Sequence, residues 1–432
     1  MLLNDQTSLD DIKLRVHRKL LASMDLNEAR QLDDEQLLTE CTQQVELLLD
    51  KENCPISGPE KAQLVQDVLD EVFGLGPIEE FLRDPFISDI LVNGANNIYV
   101  ERFGMLEKTD IKFRDDEQLL RVIQRIGARI GRHIDESSPM LDARLADGSR
   151  VNAIIPPLSI DGPSLSVRRF GTIPIDVPKM IEIDTFTGEM ATFLEACVKS
   201  RLNVLISGGT GSGKTTLLNV LSKWIPGNER VVTIEDAAEL QMQREHVVRL
   251  ETRPSNIEGK GEVNQRALLV NSLRMRPDRI IIGEVRGQEA LDMLQAMNTG
   301  HEGSMTTVHA NNPRDAFMRL ENMVSMAGLN FPITAIRQQI SSALNILVHQ
   351  TRLTGGKRKI VNISEVTTME GDMILLQDIF RYVKTGVSDD GHTEGYFEVC
   401  GVRPQILERF KAEGIEMSDD FFQQRRLVRA DS

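Results

Sequence analysis

Residues 208–216 read GGTGSGKTT and set Gly208, Gly213, Lys214 and Thr215 at the G-x-x-x-x-G-K-[ST] spacing. The glycines Gly208, Gly209, Gly211 and Gly213, with Thr210 and Ser212 between them, let the backbone wrap tightly and turn its N–H groups toward phosphate oxygens. A helix beginning near Lys214 would add unpaired N–H groups and the positive end of its dipole. In such a loop Lys214 is a point charge for the β- and γ-phosphates, and the Thr215 hydroxyl, followed by Thr216, is a ligand for Mg²⁺. The chemistry expected is binding of a nucleoside triphosphate.

Three further segments carry groups suited to that chemistry. RVVTIEDAAEL (230–240) ends an apolar run on Glu235 and Asp236, two carboxylates that can hold metal-bound water or orient an attacking one. RPDRIIIGEVRG (276–287) ends a run of three isoleucines on Gly283-Glu284, with Arg286 close behind. Glu284 is the acid able to reach the metal and the γ-phosphate. GHEGSMTTVHANNP (300–313) carries His301 and His309, and an imidazole at a strand end can sense a γ-phosphate. A zinc site there lacks nearby Cys and a third ligand. Arg144, Arg150, Arg168 and Arg169 fall earlier in the chain, at strand positions or beside turns. Such arginines, brought to a nucleotide on another domain, would couple domain closure to hydrolysis. The basic runs LRMRPDR (273–279) and RLETRP (249–254) are candidates for a subunit interface or a channel.

The elements that must position these groups follow from periodicity. NVLISGG, RVVTIED and RIIIGEV are short apolar strands, and MTTVHA is a further one ending at His309. That is the pattern of a covered parallel sheet in an α/β domain. Residues 1–55 read as a helical module, with Leu14, His17, Leu20, Leu21 and Met24 at helical spacing and a second helix from about 33 to 49. CPISGPE (54–60) reads as a loop. Residues 59–178 read as an α+β domain: a helix over 61–73, two strands around the Asn/Gly turn of ISDILVNGANNIYVERFG, a helix in DDEQLLRVIQRIGARIG, and strands in RVNAIIPP and LSVRRF. GTIPIDVPKMIEID (171–184) is the expected linker. The α/β core is expected over 185–349, and 350–432 as an extension of it with a TGGKRK turn, a strand in KIVNISEVTTM, strands around EGDMILLQDIF and a last helix near RPQILERFKAEG.

Composition bounds the rest. The 432 residues suffice for two to four domains. A net charge of -15 argues against a surface coated with nucleic acid, though not against a local basic channel. No apolar run reaches the length of a membrane span, and no apolar signal opens the chain. Cys41, Cys54, Cys197 and Cys400 lie far apart and read as free thiols of a reducing compartment. The reading is a cytoplasmic, acidic, multidomain protein.

The order of these blocks resembles the secretion and pilus-assembly ATPases of the type II/type IV secretion superfamily, and among them the tight-adherence (Tad/Flp) pilus branch. GGTGSGKTT, VVTIEDAAEL, the segment from LRMRPDR to HANNP, GLGPIEEFLRDPFISDILVNG (74–94) and DARLADGSRVNAIIPP (142–157) carry the likeness over about residues 10–430. The resemblance implies an α/β fold with a RecA-like P-loop core, preceded by an α+β, PAS-like domain and a small helical module. It implies ATP and Mg²⁺ as cofactors. Glu235 and Glu284 match the family's acids near the metal, with the general base left open between them. His309 matches the phosphate-sensing histidine and His301 its companion. Arg150 and Arg168 match arginines presented to the terminal phosphate. It further implies a homo-hexamer at the cytoplasmic face of the inner membrane, peripheral to it, working with polytopic platform proteins and without direct nucleic-acid contact. The rival reading is a ring that translocates nucleic acid, or the motor of a conjugative system.

Overall fold

The computed structural model describes residues 3–23, 34–51, 57–102, 104–170, 175–242, 244–253, 255, 260–328 and 331–427. The chain divides between residues 173 and 174 into two compact units. Met24, Cys54, Pro254 and the 171–174 end of the expected linker lie outside the described residues.

In the first unit, α1 (Leu3–Ser23), α2 (Asp34–Lys51) and α3 (Gly58–Val72) pack on one another. Ile12, Val16 and Leu20 recur every fourth residue and close a core with Val45, Leu49, Val68 and Leu69. The buried stripe of α1 is therefore centred on Ile12 and Val16, and Leu14 is only half-buried. Of the segment expected as a loop, residues 54–56 lie outside the described residues and 58–60 already belong to α3. Ser57 caps α3 through a reciprocal box with Glu60, and Pro59 occupies the first turn, where its missing N–H costs nothing.

The rest of this unit is an antiparallel sheet in the order β3-β2-β1-β6-β5-β4. Its strands are β1 (Ile87–Asn93), β2 (Ile98–Arg102), β3 (Met105–Lys108), β4 (Met140–Arg144), β5 (Arg150–Ile154) and β6 (Ser164–Arg168). One face packs on a helix, Asp116–Arg129, through Leu119, Val122, Ile123 and Ile126. β3 and β4 were not expected; β3 lies exposed at a sheet edge and carries little apolar alternation.

The second unit is built on a ten-stranded sheet in the order β16-β15-β14-β13-β12-β7-β11-β10-β8-β9. β7 (Val204–Gly208), β8 (Val231–Glu235), β9 (Val247–Glu251), β10 (Arg279–Ile282), β11 (Met305–His309) and β12 (Ile346–Arg352) run parallel. Alternate residues of β7 enter opposite cores: Val204 and Ile206 one, Leu205 the other. β7, β8 and β10 are buried throughout, which is why they read as apolar runs, whereas β9 at the sheet edge and β12, which ends in His-Gln-Thr-Arg, were not expected. β13 (Arg358–Glu370), β14 (Met373–Val387), β15 (Thr393–Val399) and β16 (Arg425–Leu427) continue the same sheet antiparallel. The segment after 349 is thus continuous with the core sheet. The sequence read as a linker contains a short helix, Val177–Glu182, capped by Asp176.

At the start of β10, Arg279 is fully buried. Its guanidinium holds Glu229 by two bonds, one of 3.1 Å, and donates to the carbonyl of Val198 at 2.7 Å. Replacing one partner leaves the other charge buried and uncompensated. Glu229→Ala should destabilise the second unit by about 3–5 kcal/mol. Thermal or denaturant unfolding followed by circular dichroism would measure the loss, and an unchanged midpoint would contradict it.

Candidate active site

β7 ends at Gly208 and α4 (Lys214–Ser222) begins six residues later, so the glycine-rich loop bridges the C-terminal edge of the sheet and a helix N-terminus. Gly211 (φ +68°) and Gly213 (φ +94°) take left-handed conformations that a side chain would resist. The Lys214 ammonium bends back over the loop and donates to the carbonyls of Gly208 (3.1 Å) and Gly209 (3.0 Å). Burial lowers its pKa; Glu284 opposes that shift and Arg286 adds to it. The loop's own polar groups thus hold Lys214 at the phosphate cradle.

Parallel register then gathers the other groups. His309 is paired with Gly208 across β11 and β7, and the N–H of Ala310 donates to the Gly208 carbonyl at 3.2 Å. Burial and the Lys214 ammonium both lower the His309 pKa, so its imidazole is neutral near pH 7. Glu284 lies beyond the end of β10 and within electrostatic range of both Lys214 and His309. Arg286 holds Glu284 at 2.7 Å and also reaches Asp236 at 3.6 Å, tying the two acidic segments together. The N–H groups of Arg286 and Gly287 are in turn capped by Glu289 at 2.7 Å.

Glu235 ends β8 in a different environment. It is 2% exposed, and its Oε2 accepts the N–H groups of Glu239 (2.7 Å) and Leu240 (2.8 Å). Its Oε1 is buried without a hydrogen-bond partner among the described residues. Burial pushes the carboxyl up to about 7 despite those two donors. Gly283 makes the packing possible, because a Cβ there would sit 3.0 Å from Glu235 Cγ. Asp236 turns away from this buried position and pairs with Arg286.

The structure does not bring His301 to the loop. It lies before β11, at the opposite end of that five-residue strand from His309, about 16 Å of extended chain away. There Ser304 bonds its carbonyl, and its Nδ1 is buried without a partner among the described residues. Spacing in sequence could not separate the two histidines, because both flank one strand. Arg150 and Arg168 belong to the first unit, where they face each other across β5 and β6. Arg144 stands opposite Arg150, and Asp89 opposite Arg168 with a 3.1 Å ion pair.

Sequence reasoning missed the far side of the loop. Gln350 on β12 is paired with Gly208 and is almost fully buried. Next to it, His349 shares a 2.8 Å hydrogen bond with Ser207. Beyond them Arg358, at the start of β13, donates from Nε to the Gly211 carbonyl at 2.9 Å. The available signal was the polar His349-Gln350 pair closing the apolar run ILV (346–348), followed directly by the basic segment TRLTGGKRK.

A phosphate loop at the C-terminal edge of a parallel sheet, with an acid and a histidine facing its lysine, defines a P-loop nucleoside triphosphatase. The type II/IV secretion system protein family matches residues 71–377, and the chain belongs to that family. It is therefore an ATP-hydrolysing enzyme. It is 36% identical over 326 residues to a Mycobacterium tuberculosis protein provisionally named for conjugal transfer, covering 74% of this chain and 92% of that one. It is 32% identical over 294 residues to the conjugal transfer protein TrbB of Rhizobium radiobacter, covering 67% and 86% respectively. The crystal structure of the VirB11 ATPase of the Brucella suis type IV secretion system with sulphate is 27% identical, with coverage of 68% and 97% and a TM-score of 0.37.

The raised pKa of Glu235 has a consequence for stability. The folded state binds this proton more tightly than the unfolded chain does, so stability falls as pH rises from about 4.5 and the loss is complete once pH has passed about 7. Glu235→Gln removes a buried charge above that pH. The variant should melt higher than the parent at pH 8 and close to it at pH 4, where the carboxyl is protonated in both the folded and the unfolded chain. Calorimetry without nucleotide checks this, and a variant less stable at pH 8 would contradict the buried environment.

Proposed function

We propose that the chain is the ATP-driven motor of a pilus-assembly or secretion machine, of the tight-adherence type. The observation that carries this reading is the convergence of Lys214, His309 and Glu284 on one phosphate loop in a chain of this family. We take residues 185–349 as a RecA-like core continued by 350–432, and residues 59–178 as a PAS-like domain that follows a helical module of residues 1–55. Among the described residues no helix is long and apolar enough to cross a membrane, in keeping with a motor peripheral to the cytoplasmic face of the inner membrane.

In this reading residues 208–216 wrap the phosphates of ATP. The donor set offered to Mg²⁺ is hard oxygen, the Thr215 hydroxyl and the Glu284 carboxylate with Glu235 behind it, which fits that ion. Bound there, Mg²⁺ neutralises charge on the β- and γ-phosphates. Glu235 is assigned as general base. Its unsatisfied Oε1 can accept a proton from water, and a carboxyl near 7 suits that task at neutral pH. Neutral His309 donates toward the γ-phosphate from the adjoining strand. His301 is left out of the phosphate-facing set, given its place at the other end of β11. Arg150 and Arg168 supply positive charge to the terminal phosphate from the first domain, in the same or a neighbouring subunit. Six such subunits in a ring would pass domain closure to a polytopic membrane partner as displacement.

The conjugal transfer names of two similar proteins favour a second reading, in which the same motor serves a conjugative apparatus. Neither reading needs direct contact with nucleic acid. Single-stranded DNA should leave turnover unchanged, whereas strong, salt-dependent stimulation would point to a nucleic-acid translocase.

Glu284→Gln and Glu235→Gln should each lower kcat by about 100-fold or more while ATP is still bound. For the parent, kcat/KM should rise with pH by about tenfold per unit below 7 and level off above it, as expected for a base of the free enzyme that must lose its proton. A flat profile from pH 5.5 to 8 would reject Glu235 as the base. Particle images with a non-hydrolysable ATP analogue should show six-fold rings, and Arg150→Ala with Arg168→Ala should slow turnover without dispersing them. A fully active monomer would overturn the assembly.

A further inference from the structure

The groups assigned to hydrolysis approach the phosphate loop from β11, β10 and β8, which all lie on one side of β7. β12 lies on the other side, and there the loop is walled by a hairpin to which nothing above gives a task. β12 and β13 are joined by a tight turn in which Leu353 bonds Lys357 at 2.8 Å and Gly356 bonds Leu353 at 3.0 Å. The turn is braced from outside. Thr393 of β15 donates to the Thr354 carbonyl at 3.1 Å, and His392 packs against Gly355 so closely that a Cβ there would collide with it. At the foot of β13, buried Lys359 binds Asp184 and lies over the rings of Tyr382 and Phe397. The hairpin is therefore a fixed part of the sheet, held at three points.

From this fixed support two side chains touch the loop at its two left-handed glycines. Arg358 Nε donates to the Gly211 carbonyl at 2.9 Å. A Cβ on Gly213 would stand 3.1 Å from Gln350 Nε2 and 3.3 Å from Arg358 Cδ, so these side chains form the outer wall of the loop. Gln350 is 1% exposed and its Oε1 has no partner among the described residues. Its amide is held there by packing in the sheet. Across a trans peptide, the carbonyl of one residue and the N–H of the next point in opposite directions. Holding the Gly211 carbonyl outward therefore turns the Ser212 N–H inward. There the N–H makes only a long 3.4 Å contact, to the Gly209 carbonyl, and is available to a better acceptor.

We propose that Arg358 is a positioning residue for the nucleotide. Held by the braced β12–β13 hairpin, it fixes the Gly211–Ser212 peptide so that the loop is set for phosphate before ATP arrives. The ligand it prepares for is the β-phosphate group, common to ATP, ADP and pyrophosphate, and Arg358 itself touches the loop and not the reacting atoms. The inference rests on the reading of residues 208–216 as a phosphate loop. Setting a floppy, glycine-rich peptide in advance removes ordering cost from the binding step. The effect therefore belongs to affinity. It should leave the chemical step alone, because Glu235, Glu284 and His309 stand on the opposite side of β7.

The test uses the full-length chain and the variants Arg358→Met, Arg358→Lys and Lys214→Ala. Steady-state ATPase assays give kcat and KM, and displacement of a fluorescent ATP analogue gives affinities for ADP and inorganic pyrophosphate. Methionine keeps most of the stem against Gly213 and removes the donor; lysine keeps both stem and donor. Arg358→Met should raise KM for ATP and weaken ADP and pyrophosphate by one common factor of about ten, the value of a lost hydrogen bond to a charged group. Its kcat should stay within about twofold, and Arg358→Lys should recover most of the loss. Unchanged affinities in Arg358→Met would overturn the proposal. So would weakened ADP with unchanged pyrophosphate, which would mean contact with the base or ribose, and so would a fall in kcat at constant KM. Lys214→Ala separates the two levels of argument. Its loss of all nucleotide binding upholds the loop assignment even if Arg358→Met is silent, and its retention of binding would sink both.

Discussion

Gly208 is held in register on both sides, opposite His309 of β11 on one flank and opposite Gln350 of β12 on the other. That double registration fixes where everything else can stand. A strand that must end in a wrapped glycine loop cannot slide by one residue without turning every buried side chain to the wrong core. Val204, Leu205 and Ile206, wholly buried on alternating faces, resist such a slip. The imidazole therefore arrives beside the loop as a consequence of packing along the whole strand. So does the hairpin on the opposite flank. At Gly208 a Cβ would overlap the Gln350 carbonyl and crowd Ser212 Oγ, so the glycine is required by the neighbouring strand as much as by the phosphate it would face.

The two glutamates show how one sheet edge supplies two chemically different acids. Glu284 follows a glycine, is partly exposed and is held by Arg286. Glu235 is drawn inward by two backbone N–H donors, which are too few to offset its burial. Environments that push like groups apart in this way are how a site divides acid, base and electrostatic roles. Gly283 links the two, since any side chain there would displace Glu235 and with it the distinction. Arg286 bridges Glu284 and Asp236, so a movement of either acidic segment would be felt by the other.

The parallel strands β7, β8, β10 and β11 were legible because burial on both faces leaves no alternation to misread, and the phosphate loop because its spacing is set by backbone geometry; β9, half-exposed at the sheet edge, and β12 were not read as strands. The helices of the first unit were legible in kind, and the face of α1 only in part: among the described residues its buried side chains are Ile12, Val16 and Leu20, of which the spacing had named Leu20. Edge strands β3 and β4 left little signal, since an edge strand need not be apolar. What no local pattern carried was the strand neighbour of the loop. Which element sits beside β7 is decided by a crossover through the helices Pro313–Ser325 and Ile333–Ala343, more than a hundred residues downstream of the loop. The role of Gln350 and Arg358 exists only once that crossover is made. The same holds for the two histidines, equal in sequence and separated by the length of β11 in space.

The first unit gives the net charge of -15 a local counterpart. Arg144, Arg150 and Arg168 stand directly opposite one another on β4, β5 and β6, and the row continues through Asp89 on β1 to Glu101 on β2. Like charges placed opposite each other in a sheet weaken it. A stabilising arrangement would alternate arginines with the acids already present, instead of sorting them three to one end and two to the other. Sorting creates a steep local field across about five strands' width, roughly 20 Å. Such a field does little for the fold of this unit, whose core lies among Ile90, Val100, Val122 and Leu165. In the proposed reading it would serve an anion that comes and goes. In a protein whose overall charge repels polyanions at long range, attraction confined to a short row favours a compact, highly charged ligand over an extended one. In the proposed reading that ligand is a triphosphate, which meets the description better than a nucleic-acid strand does.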